Sequence, residues 1–133
     1  MPARIEHVAL WTPTPESLER LRDFYCAQFG ARSNGRYESR NRAGFASYFL
    51  SFPDGGARLE LMTVPGLPPR AADEAVGWAH LAVSLGTRDA VDAFVQRARA
   101  AGVPIVSGPR TTGDGYYEAV IRDPDGNLVE VTT

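Results

Sequence analysis

The sequence carries one pattern of landmarks twice. His7-Val8-Ala9-Leu10 is matched by His80-Leu81-Ala82-Val83, and each stretch leads into a helical segment ended by a glycine, Gly30 and Gly102. Pro53-Asp54-Gly55, followed five residues later by Glu60, is matched by Pro124-Asp125-Gly126, followed four later by Glu130. A chain of 133 residues fits one domain with a real core and leaves no room for a second independent one. The repeat is therefore read as two copies of a strand–helix–three-strand unit inside a single domain. The proline-rich Val64-Pro65-Gly66-Leu67-Pro68-Pro69-Arg70 is the joint. Module one covers about residues 1–64, the linker about 65–76 and module two about 77–133.

The local signals agree with that unit. Arg4 to Trp11 alternates with a period of two, which predicts a strand. Thr14-Pro15-Glu16 supplies an N-cap, a proline at the first helical position and an acid in the first turn. Leu18, Leu21, Phe24 or Tyr25, and Gln28 then lie along one side of a helix, with Phe24, Tyr25 and Phe29 read as core. Strands are expected at about 32–38, 45–52 and 57–63, with Pro53-Asp54-Gly55-Gly56 turning the last pair. In the second copy Trp78 to Leu85 reads as a strand and Thr87 caps a helix with Val91, Phe94, Val95 and Ala98 at helical spacing. Strands follow at 103–107, 116–122 and 127–132, the last pair turned by Asp123-Pro124-Asp125-Gly126.

Composition narrows the function classes. Hydrophobic residues at 44% and charged residues at 23% mark a globular chain rather than a disordered one. Fourteen arginines, spread along the whole chain, face 16 acidic residues for a net charge of −2, which gives no electrostatic footprint for nucleic acid. No apolar run approaches the roughly 20 residues that cross a bilayer, and Met1-Pro2-Ala3-Arg4 opens without a signal-peptide core. The single cysteine, Cys26, cannot form an internal disulfide and reads as a small buried hydrophobe. The expectation is a cytoplasmic protein with a small-molecule substrate and neither nucleic-acid nor membrane partners.

Strand parity sorts the polar residues. Val8 and Leu10 belong to the core, so His7 and Trp11 take the opposite face. Leu59 and Leu61 pack, leaving Arg58, Glu60 and Met62 together. Ala79, Leu81 and Val83 go inward, sending His80 out with Trp78. Val129 and Val131 pack, leaving Glu130 on the other side. The only two histidines occupy equivalent positions of the repeat, as do two glutamates, and all four fall on the face away from the helices. Two imidazoles and two carboxylates suit a divalent cation: zinc, nickel, manganese, cobalt or iron. Calcium, which prefers an all-oxygen shell, fits poorly.

These residues carry a resemblance. His7-Val-Ala-Leu, Phe24-Tyr25 with Phe29-Gly30, Leu59-Glu60-Leu61, His80-Leu-Ala-Val and Asp123-Pro124-Asp125-Gly126-Asn127-Leu128-Val129-Glu130 resemble the vicinal oxygen chelate superfamily, and within it glyoxalase I-type proteins. The resemblance spans nearly the whole chain. It implies an α+β fold of two βαβββ modules forming a cup-shaped mixed sheet, with helices on the convex side. It implies a metal held by His7, Glu60, His80 and Glu130, in a cup completed within one chain or between two chains of a homodimer. It also implies a lyase or isomerase that moves a proton next to a carbonyl through a metal-stabilised enediolate, with Glu130 as the base and Glu60 as its symmetric partner. No arginine and asparagine set matches one that would hold a glutathione tail.

Parity adds further candidates. Tyr117, Ala119 and Ile121 form the apolar set of their strand, which turns Tyr116 and Glu118 to the site. Glu118 is a base, a substrate contact or a solvated strand-edge carboxylate. Arg58 binds an anionic substrate group or is a surface arginine. Trp11 and Trp78, with Met62 beside Glu60, form an apolar wall or fill the floor as packing. Two other activities use the same fold. An acyl-CoA-type epimerase needs the same metal and two carboxylate bases. A metal-free drug-sequestering protein of the bleomycin-resistance type predicts aromatic lining and gives the four ligands no purpose.

Overall fold

The computed structural model describes residues 2–133. The chain divides between Arg70 and Ala71 into two compact units, each with one helix and one mixed sheet, an α+β fold of two modules. No helix among the described residues is long and apolar enough to cross a membrane.

The first unit runs β1 (His7–Trp11), α1 (Pro15–Phe29), β2 (Arg32–Ser33), β3 (Tyr37–Glu38), β4 (Ala46–Ser51) and β5 (Arg58–Thr63). Its first and last strands, β1 and β5, are parallel neighbours; β5 is antiparallel to β4, which also pairs β2 and β3. Thr14 starts α1 with a capping box: its Oγ1 accepts the Ser17 N–H at 3.0 Å while its own N–H donates to Ser17 Oγ at 3.0 Å. Gly30 ends the helix at φ 68°, a left-handed conformation that a Cβ would disfavour. Leu18, Leu21 and Tyr25 are fully buried on the face that meets β4 and β5, together with Leu50, Leu59 and Leu61. Each buried aliphatic side chain contributes about 1.5–3 kcal/mol. Tyr25 is thus the core member, while Phe24 and Phe29 are half-buried around it, Phe29 stacked on its ring at 6.1 Å. Cys26 is half-buried, and burial pushes its thiol up.

The second unit repeats the plan with β6 (Leu81–Ser84), α2 (Arg88–Ala100), β7 (Ile105–Thr111), β8 (Tyr117–Arg122) and β9 (Leu128–Thr132). Again β6 lies parallel to β9, with β9–β8 and β8–β7 antiparallel. Thr87 caps α2 by accepting the Ala90 N–H at 3.1 Å. Val103 N–H reaches Ala98 O at 2.9 Å and Gly102 N–H reaches Arg99 O at 3.2 Å, the paired bonds of a Schellman ending. Val91, Phe94, Val95 and Ala98 are buried as a stripe. Asp123, only 4% exposed, builds the β8–β9 turn: Oδ1 accepts the N–H groups of Asp125 and Asn127 at 3.0 and 2.9 Å.

Both units also tie helix to sheet through a tyrosine. Tyr48 of β4 donates to Glu19 of α1 at 2.7 Å with the Arg22 guanidinium 4.9 Å over its ring. Tyr117 of β8 donates to Asp92 of α2 with Arg88 4.2 Å over its ring.

The sequence expectations need correcting in four places. The 32–38 strand is two short pairings, because the Asn34 carboxamide accepts the Phe49 N–H at 2.8 Å and takes the place of a ladder bond. The 78–85 strand starts only at Leu81. Its register begins at Leu81↔Val129, and the same offset sets Trp78 and Ala79 opposite Gly126 and Asn127, which precede β9. Ala79, expected inward, is exposed with the whole 71–80 stretch. The 103–107 strand extends to Thr111 through register shifts around Gly108-Pro109, where proline has no N–H to give the ladder.

Candidate metal centre

On β5 the burial alternates: Leu59, Leu61 and Thr63 are buried while Arg58, Glu60 and Met62 are half-exposed. The parallel register sets His7 against Arg58, Ala9 against Glu60 and Trp11 against Met62, so these six residues share the face away from α1. Across β4, Phe49 is the partner of Glu60. His7 Nε2 lies 3.6 Å from Glu60 Oε1, and its ring meets Phe49 edge-on at 5.3 Å. His7 Nδ1 lies 3.2 Å from Glu6 Oε1, and the same carboxylate pairs with Arg58. Arg58 first, then His7, holds the Glu6 carboxyl below the usual range.

The second unit builds the same pair. β9 alternates buried Val129 and Val131 with half-exposed Leu128, Glu130 and Thr132. His80, immediately before β6, places Nε2 3.0 Å from Glu130 Oε2. The two side chains are 39% and 23% exposed, against 40% and 15% for His7 and Glu60, so both pairs are reachable from solvent while their carboxylates are largely sheltered. Glu118 sits on the same face of β8, diagonal to Glu130 in the register Glu118↔Thr132, Val120↔Glu130. A hydrogen bond to Glu130, then burial, then the Glu130 charge push the Glu118 carboxyl above the ordinary carboxylate range.

The chemistry of the donors fits a divalent ion. Two ligand atoms, each about 2.0–2.2 Å from one ion at tetrahedral or octahedral angles, stand about 3.0–3.5 Å apart. The His80–Glu130 pair is already at such a separation and the His7–Glu60 pair is close to it. Among the described residues no three His, Cys, Asp or Glu side chains gather into one metal-holding group; the structure brings the four predicted ligands together as two pairs, one in each unit.

A family model described as the glyoxalase/bleomycin resistance protein/dioxygenase superfamily matches residues 4–131. The chain belongs to this superfamily. An uncharacterised protein of Pseudomonas aeruginosa is 32% identical over 134 residues, covering 98% of this chain and 88% of that one. Among solved structures, a glyoxylase/bleomycin resistance protein/dioxygenase domain from Frankia superposes with a TM-score of 0.82 at 16% identity, covering 99% of this chain and 98% of the other. A lactoylglutathione lyase from Agrobacterium tumefaciens superposes with a TM-score of 0.68 at 25% identity, covering 98% and 93%. The superfamily thus includes lyases of the glyoxalase I kind beside bleomycin resistance proteins and dioxygenases.

The remaining candidates of this superfamily member divide. Trp11 and Met62 form a cross-strand pair beside Glu60, with Trp11 46% exposed and edge-on to Phe45 at 6.2 Å. Arg58, read as a contact for an anionic substrate group or as a surface arginine, pairs with Glu6 and lies 4.2 Å over the Phe49 ring. Trp78 is 92% exposed and belongs to no strand. Tyr116 lies in the turn before β8, its N–H donating to Thr112 Oγ1 at 3.1 Å and its side chain 53% exposed. Glu6 and Phe49 escaped the sequence reading. For Phe49 the signal is the β4–β5 register, which sets it against Glu60; Glu6, just before β1, is placed by its backbone carbonyl accepting the Arg58 N–H.

Proposed function

We propose that this protein is a metal-dependent lyase or isomerase of the glyoxalase I kind, moving a proton next to a carbonyl of a small substrate, with His7, Glu60, His80 and Glu130 as the ligand set. The observation that carries this reading is the repeated pair: in each unit one imidazole Nε2 faces one carboxylate, at 3.6 and 3.0 Å.

A divalent ion bound by such donors supplies Lewis-acid stabilisation of the charge that develops on neighbouring substrate oxygens. The protein's own groups supply the proton chemistry. Glu130 takes the proton from the carbon beside the carbonyl and returns it to the neighbouring carbon. Glu118, hydrogen-bonded to Glu130, stands beside that base and holds its carboxylate in place. Glu60 is the equivalent carboxylate of the first unit. Trp11 and Met62 give the substrate an apolar surface beside His7 and Glu60.

The test is metal content of protein purified without chelator or nickel resin, repeated on His80→Ala. About one divalent ion per chain, lost in the variant, is expected, followed by thiohemiacetal isomerisation supported by zinc, nickel, manganese, cobalt or iron. Protein that holds no metal, and is not stabilised by adding any of these ions, defeats the proposal; titration with aromatic drug-like ligands would then test sequestration.

A further inference from the structure

The two imidazoles differ in what stands behind them. His80 presents Nε2 to Glu130, and no hydrogen bond to its Nδ1 forms among the described residues. His7 presents Nε2 to Glu60 and is held from the other side, its Nδ1 lying 3.2 Å from Glu6 Oε1. Glu6 is itself fixed at two points. Its carboxylate pairs with the Arg58 guanidinium, and its backbone carbonyl accepts the Arg58 N–H at 2.9 Å. Arg58 lies 4.2 Å over the ring of Phe49, and Phe49 meets the edge of His7 at 5.3 Å. The chain of contacts closes on itself: His7, Glu6, Arg58, Phe49 and back to His7.

We infer that Glu6 is a positioning residue for His7, accepting its Nδ1–H so that the neutral ring keeps its lone pair on Nε2, toward Glu60. A carboxylate accepts and cannot donate, and two of them face this ring: Glu6 at 3.2 Å from Nδ1, within hydrogen-bond reach, and Glu60 at 3.6 Å from Nε2, beyond it, so the nearer Glu6 takes the N–H. A free imidazole favours the opposite tautomer, whose Nδ1 lone pair would here meet the nearer of the two carboxylates, Glu6. Arg58 neutralises Glu6 and anchors it, and Phe49 packs against both the guanidinium and the His7 ring. Partners of this kind orient ligating histidines, and their loss typically weakens metal affinity about 10- to 100-fold. The inference deepens the metal-centre reading, but the tautomer it assigns belongs to the metal-free protein.

The experiment uses the full chain, Glu6→Ala and Glu6→Gln. Glu6 is exposed, so neither substitution opens a cavity. Long-range nitrogen–proton NMR of the metal-free protein, above the pH of imidazole titration, reads the His7 tautomer, and calorimetric titration with zinc alone reads affinity. The expected result is an Nδ1–H ring in the parent, a mixed or Nε2–H ring in Glu6→Ala, and rescue in Glu6→Gln, whose side-chain oxygen still accepts. Zinc affinity should fall about 10- to 100-fold in Glu6→Ala and much less in Glu6→Gln. An Nε2–H ring in the parent, or a tautomer and zinc affinity that do not change in Glu6→Ala, overturns the assignment. If the parent takes up no zinc, the metal-centre reading falls, and the tautomer pattern still decides for or against Glu6.

Discussion

The alternation along β5 separates two jobs, and two neighbouring substitutions should separate them in the test tube. Leu61 is 0% exposed and packs under α1, whereas Glu60 faces His7. Leu61→Ala removes about three methylene equivalents of buried surface, worth about 2.4 kcal/mol by transfer alone. The cavity left in a close-packed interior brings the expected loss to about 3–5 kcal/mol. Glu60→Gln keeps the shape and removes one partner of a part-exposed ion pair, so it should change the stability of metal-free protein by about 1 kcal/mol or less. Adding zinc reverses the ranking. Zinc at a hundred times its dissociation constant stabilises the parent by about 2.7 kcal/mol; that gain should survive in Leu61→Ala and shrink or vanish in Glu60→Gln. Urea unfolding with and without zinc, followed by tryptophan fluorescence, measures all four quantities. If metal-free Glu60→Gln lost as much as Leu61→Ala, or if Leu61→Ala lost the zinc-dependent gain while Glu60→Gln kept it, the assignment of faces would be wrong and the ligand set with it. The second unit offers an independent repeat, with Val131→Ala costing about 2 kcal/mol and Glu130→Gln about 1 kcal/mol or less in metal-free protein.

Two further outcomes follow from local geometry. The Glu118 carboxyl is raised from its ordinary 4.5, first by its hydrogen bond to Glu130, so just above that pH the folded chain binds more protons than the unfolded one. Its contribution is therefore fully present below about pH 4.5 and is lost as pH rises through the folded value. The urea midpoint of metal-free protein should carry that downward slope, and Glu118→Gln should flatten it; an unchanged slope would contradict the Glu118–Glu130 hydrogen bond. Gly102 and Gly108 both have φ near +80°, but an added Cβ at Gly102 meets nothing within 4 Å, whereas at Gly108 it comes within 2.6 Å of the Glu118 carbonyl oxygen and 2.9 Å of Ala119 Cα. Gly102→Ala should cost about 1–2 kcal/mol, and Gly108→Ala clearly more, because backbone of β8 must move; equal costs in thermal unfolding would contradict the close approach of β7 and β8.

Features written in a strand's own period were legible in the sequence. Leu59, Leu61, Val129 and Val131 alternate with Glu60 and Glu130, and that alone puts the carboxylates opposite the core. The helix ends were equally local, since Thr14, Gly30, Thr87 and Gly102 act within one turn of themselves. What escaped was whatever depends on the strand next door. β6 could not be started correctly from Trp78-Ala79-His80 because the place where pairing stops is set by Leu128 and the turn before it. The 32–38 strand broke on a side-chain bond from Asn34 to a residue on β4. The same limit explains the site: His7, Glu60, His80 and Glu130 were each visible on one strand, whereas Glu6 acquires its meaning only when β1 is laid parallel to β5 and Arg58 arrives beside it. Arg58 shows the consequence. By parity alone it is a free cation on the site face and a natural anchor for an anionic substrate; with its register known, it is already occupied by Glu6 and Phe49. Its substitution should therefore act through the orientation of His7, changing metal affinity before it changes substrate preference.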